Sequence, residues 1–167
     1  MKRSLALMAV AALCASPALA DDEVQYSNDQ VTSCLAEHAE TPRVCIGLSA
    51  AACQNASDAG STTIGLQECS AKETAFWDAQ LNATYGELIK RANEVDAMSV
   101  DDPGVTEKIT DTLQDMQRRW IDFRDATCKY EVSQFQGGTI MGPVNASCLL
   151  RMTAEQAIYL AGSWPTN

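Results

Sequence analysis

Bases, aromatics and histidine are all scarce in this chain. Its 167 residues hold 12 Lys and Arg against 22 Asp and Glu, for a formal charge of −10, and aromatics make up only 6%. Scarcity of bases excludes nucleic-acid binding, which needs a basic face to displace counterions from phosphates. It argues equally against docking on anionic lipid. The single histidine, His38, and the lack of any Cys-x-x-Cys pair leave no recognisable metal set. A Ser/His/Asp triad would have to use that same His38, which lies beside Glu37 and Glu40, with no activated nucleophile at Ser33 or Ser49. The acid pairs Asp111/Asp115 and Asp122/Asp125 read as solvated helix faces rather than a glycosidase pair. Gly137-Gly138 lacks the Lys-Ser/Thr that completes a phosphate-cradling loop. Enzymatic activity, a metal and a cofactor are therefore not expected.

Long apolar runs are also missing, apart from one at the start. Lys2 and Arg3 precede an apolar stretch from Leu5 to Ala15, and Ala18-Leu19-Ala20 gives a small-x-small exit. The run is too short to span a bilayer. Residues 1–20 are expected to be a secretory signal peptide cleaved after Ala20, giving a periplasmic or secreted product. Leu13 stands where a lipid-attachment signal at Cys14 would need a small residue, so no lipid anchor is expected. Cleavage would remove two bases and no acid, moving the charge from −10 to −12.

Six cysteines remain after Cys14 leaves: Cys34, Cys45, Cys53, Cys69, Cys128 and Cys148. An even count in an exported chain reads as a disulfide framework. Six cysteines allow on the order of 15 pairings. Local, sequential pairs (34–45, 53–69 and 128–148) are preferred among them.

Residues 21–63 form an acidic, cysteine-rich segment in which seven acids face one base, Arg43. Short helical stretches are expected over 32–39 and 44–54, then a Ser/Gly/Asp-rich loop over 55–63. Beyond it, Leu66, Cys69, Trp77, Leu81, Tyr85, Leu88 and Val95 recur at helical spacing and predict one long helix over about 64–98. Asp101-Asp102-Pro103 carries the marks of a helix start. Val105, Ile109, Leu113, Met116, Trp120, Phe123 and Thr127 then repeat every three or four residues. Residues 136–143 are too glycine-rich for either regular structure, and a last amphipathic segment is expected over about 145–161. The fold class is all-α: a small disulfide-stapled bundle with two long antiparallel helices and a C-terminal helix. The aromatics Tyr85, Trp120 and Phe123 are expected in its core. Arg118, Arg119, Arg124 and Lys129 make the chain's only basic cluster, and Arg124 is expected to pair with a nearby acid. Asn55, Asn82 and Asn145 fall in N-x-[ST] triplets, which carry weight only in a eukaryotic secretory pathway.

Two motifs occur in order over roughly residues 66–162. The first is a cysteine followed by a helix bearing Trp77, Leu81-Asn82 and Tyr85. The second bears Leu113, Gln117, Trp120, Phe123-Arg124-Asp125 and Cys128, and is followed by Gly137-Gly138 and Cys148. Together they resemble the LprI-like lysozyme-inhibitor family, which assigns residues 64–167 to one helical domain. The resemblance implies an exported bacterial protein that is helical and non-enzymatic, in a family whose named member inhibits lysozyme. The chain departs from that member in lacking a lipoprotein signal.

Two functions follow as expectations. The leading one is an acidic protein that binds a cationic lysozyme, steered by long-range attraction. It would block the enzyme sterically with the loop formed by Gly137, Gly138, Thr139, Ile140, Met141 and Gly142. The alternative is a non-catalytic envelope module, structural or interactive, with a different partner.

Overall fold

The computed structural model describes residues 23–165. The expected signal peptide therefore lies outside the described residues. Among the described residues the chain is helical throughout: α1 (Asp29–Glu37), a 3-10 turn (Pro42–Cys45), α2 (Leu48–Ala56), α3 (Asp58–Ser61), α4 (Thr63–Met98), α5 (Ile109–Ser133) and α6 (Met141–Ala161). None of these helices is long and apolar enough to cross a membrane.

α4 is the spine. Its apolar stripe buries Cys69, Trp77, Leu81 and Leu88, and α6 lies along it and supplies more of its cover than any other helix. The two run parallel: Gly142 sits against the Gln67 side chain at one end, and Leu160 shares a cleft with Leu88 at the other. α6 is buried on several faces through Leu150, Met152, Ala154, Ala157 and Leu160. α5 returns antiparallel to both, and it packs more on α6 than on α4. Gln117 meets Gln156, and Glu131 meets Arg151.

The N-terminal segment folds onto this frame. Val31, Cys45 and Ala50 belong to the same core cluster as Trp77, Leu81 and Leu160. Bonds join Cys34 to Cys45, Cys53 to Cys69 and Cys128 to Cys148. These hold α1 to the 3-10 turn, α2 to α4, and α5 to α6. Tight backbone approaches add to them: a Cβ at Gly60 would meet the Cys53 carbonyl, and one at Gly65 would meet that of Ala59.

Three expected boundaries move. The second long helix starts at Ile109, not at Asp101-Asp102-Pro103. Asp102 does accept an N–H bond, but from Gly104 at 2.8 Å, which makes a turn instead of a helix start. The cap of α5 comes from across the connection, where the Asp96 carboxylate accepts the N–H groups of Ile109 and Thr110 at 2.9 and 3.0 Å. The last helix begins at Met141, four residues before the expected 145, because Pro143 falls in the first turn, where a missing N–H costs nothing. The expected loop over 55–63 contains the short helix α3, capped by the Ser57 hydroxyl accepting from the Gly60 N–H.

Candidate functional site

The most buried charged group is Glu73, with 0% exposure. It occupies the α4 stripe one turn before Trp77, and its carboxylate accepts three hydrogen bonds. They come from the N–H groups of Gly47 and Ala50, both at 2.7 Å, and from Trp77 Nε1 at 3.0 Å. Gly47 can turn its N–H this way because it adopts φ 88°, a conformation glycine takes without strain. The carboxylate thus sits on the N-terminus of α2, where helix dipole and free N–H groups favour a negative charge. Burial and, less strongly, the negative charge of Glu73 push the nearby Tyr26 phenol up to about 12. With both carboxylate oxygens held by structural donors, Glu73 serves as an anchor. Sequence reasoning passed it over, although an acid at a core position of a stripe was the available signal.

The family-motif residues divide between core and surface. Trp77 and Leu81 are buried, while Tyr85 and Trp120 pack against the same core cluster. Gln117 is buried and accepts from Gln156 Nε2 at 2.9 Å, which links α5 to α6. Asn82 is exposed and donates to Asp78 at 2.9 Å. Arg124 pairs with its neighbour Asp125 at 2.8 Å and lies over the Trp120 ring at 5.1 Å. Phe123 corrects the expectation of core packing, for it is 63% exposed. The inward stripe of α5 runs Leu113, Gln117, Trp120, Arg124, Cys128, and residue 123 falls about 100° off its centre line. The remaining basic cluster is largely committed, with Arg119 held by Asp115 at 2.6 Å and Arg118 bonded to Gln114 at 3.2 Å.

The glycine segment makes the link between α5 and α6. Gln136, Gly137 and Gly138 adopt φ of 52°, 113° and 94°, three successive left-handed residues that reverse the chain. Gly137, Gly138, Thr139 and Ile140 are exposed, whereas Met141 and Gly142 are half-buried in the first turn of α6. Phe135 and Ile140 leave an apolar, uncharged patch at this end of the molecule, 47% and 45% exposed.

No buried side-chain nitrogen or oxygen among the described residues lacks a hydrogen-bond partner. Nor does any group of three or more His, Cys, Asp and Glu among them gather as metal ligands do.

Comparison with known proteins agrees with this description. The family described as "Lysozyme inhibitor LprI" matches residues 53–160. That span opens at a bridged cysteine of α2 and closes at the last core residue of α6. Similar proteins include "Uncharacterized protein YecT" of Escherichia coli (strain K12), 33% identical over 82 residues, which are 49% of each chain. The "Uncharacterized 17.7 kDa protein in puhA 5'region" of Rhodobacter capsulatus is 25% identical over 139 residues, covering 80% of this chain and 84% of that one. The chain thus spans about half the length of the first relative and most of the second. No solved structure matches. Because the matched span takes in the whole α4–α6 bundle and two of its three disulfides, the chain belongs to the LprI lysozyme inhibitor family.

Proposed function

We propose that this protein is exported and that it binds and inhibits lysozyme-type cell-wall hydrolases by steric occlusion. The observation that carries the reading is the family match over residues 53–160. Three disulfides suit an oxidising compartment, and the excess of acids favours a cationic enzyme. Inhibition of this kind involves no chemistry on either protein. As the occluding element we take Gly137–Gly142, whose exposed part offers Ile140 beside Phe135 on a backbone that neighbouring glycines leave accessible.

Turbidity of a cell-wall suspension treated with a cationic lysozyme, with and without the protein lacking residues 1–20, tests the function. Clearing should slow as inhibitor is added. Replacing Ile140 and Met141 with Ser should weaken inhibition mainly through faster dissociation, as loss of apolar contact does. If no lysozyme is inhibited at physiological salt, the reading fails and a different envelope partner takes its place.

A further inference from the structure

The other end of the molecule carries a second surface that this reading does not use. Among the described residues, Trp164, after the end of α6, shares a cleft with Arg91 of α4. Beyond Arg91, the last two turns of α4, the connection over 99–108 and the first turn of α5 form a hairpin. On it lie Met98, Val100 and Val105, exposed by 79%, 74% and 46%. Val100 and Val105 line a cleft of about 500 Å³ between α4 and the connection. A second hollow, walled by Met116 and Asp115, adjoins it and shares Glu107, Lys108 and Asp111.

What surrounds these apolar residues tells what would cover them. Asp101, Asp102, Glu107 and Asp111 are exposed on the same tip, and Lys108 is the one base among residues 92–112. The opposite end is different in kind, since residues 132–142 contain no charged side chain. The two ends are about 46 Å apart along α4, from Gln67 to Met98, so they form separate surfaces. Two exposed valines set beside the carboxylates of Glu107 and Asp111 in one cleft match a partner that lays the aliphatic stem of a Lys or Arg along them and leaves its charged head against the acids.

We infer that the hairpin tip at residues 98–111 is a docking surface for a basic protein, with Val100 and Val105 receiving the stems of its Lys or Arg side chains. Only the identification of that protein as a lysozyme rests on the function proposed above. The tip would capture the partner by charge, independently of the uncharged glycine loop.

The test uses the disulfide-bonded protein lacking residues 1–20, with a cationic C-type lysozyme and an oligolysine peptide as probes. One variant neutralises the tip (Asp101→Asn, Glu107→Gln, Asp111→Asn). A control removes the same charge elsewhere (Glu23→Gln, Glu37→Gln, Glu40→Gln). Asp96 and Asp102 are kept because they hold the local backbone. At low salt the tip variant should bind either probe about tenfold more weakly, chiefly through slower association, and the control should change by less than about twofold. Val100→Ser with Val105→Ser should speed dissociation of the lysozyme. Equal losses in the tip and control variants would mean attraction by net charge alone and would overturn the assignment. So would a serine variant that binds like wild type. Binding at the tip without inhibition would sink the inhibitor reading and leave the tip assignment standing. Failure of the wild type to bind either probe would refute the tip.

Discussion

Glu73 shows how much a single side chain can organise. Its carboxylate receives three donors from two elements, so α2 is fixed in place on α4 at a point where neither could otherwise satisfy its polar groups. Hydrogen bonds to an ionised acceptor are stronger than neutral ones, and a buried donor left unpaired costs its full desolvation. Glu73→Gln preserves shape but points an NH2 at one of the incoming N–H groups. We expect a loss of about 2–3 kcal/mol in denaturant-derived stability, with the helices otherwise retained in circular dichroism. A fall below about 0.5 kcal/mol would show that the carboxylate charge is unimportant there. Nothing in the local sequence marks this residue except its register. An acid four positions before a buried Trp and four after a bridged Cys is out of keeping with an apolar stripe, and its two backbone partners lie more than 20 residues upstream.

At the scale of elements, α5 depends on a cap that it does not itself supply. The carboxylate of Asp96 is held below the usual carboxylate range chiefly by the Thr110 N–H, with further help from the Thr110 hydroxyl, the Ile109 N–H and the Lys108 charge. A carboxyl whose folded value is lowered stabilises above its ordinary value, and that contribution is lost as pH falls through the lowered one. Acidification from neutral pH should therefore loosen the first turn of α5 before the bundle unfolds. Amide exchange at Ile109 and Thr110 should accelerate relative to the middle of α5, and Asp96→Asn should reproduce the effect at neutral pH. Uniform protection at all pH values would contradict it.

The same cap shows where sequence reasoning ends. The α4 stripe placed that helix at about 64–98, against an observed Thr63–Met98, because its regular burial is a property of neighbouring residues. The start of α5 depended on a carboxylate 13 residues away, while Asp101-Asp102-Pro103 offered a nearer and false signal. Phe123 was misplaced for a related reason. Spacing identifies an amphipathic helix, but the width of the buried face depends on the helix packed against it, and that helix is not local. The charge-free character of 132–142 and the acid excess of the hairpin were both present in the sequence. Only the length of α4 places them at opposite ends.

For the whole molecule, the disulfides close intervals of 11, 16 and 20 residues, all short beside a chain of this length. The longest, Cys128–Cys148, is the only bridge between α5 and α6. Loop closure of that size is worth about 3 kcal/mol in the chain-entropy model. Cys128→Ala with Cys148→Ala should then lower Tm by roughly 5–10 °C while leaving the other two bridges intact. A shift under about 2 °C would mean that the Gln117–Gln156 and Glu131–Arg151 pairs already fix the two helices.

The position of α6 has a consequence for the order of events in making the protein. α4 is complete by residue 98, yet the helix that covers most of its apolar face does not begin until residue 141. A chain emerging from its N-terminus therefore carries a sticky, unshielded rod for some forty residues of further synthesis. The two upstream bridges need only cysteines that lie within the first 69 residues. The third must wait for Cys148. Such a molecule keeps its main apolar face open until almost the end of the chain, a schedule that exposes it to holdases and proteases until its last helix arrives.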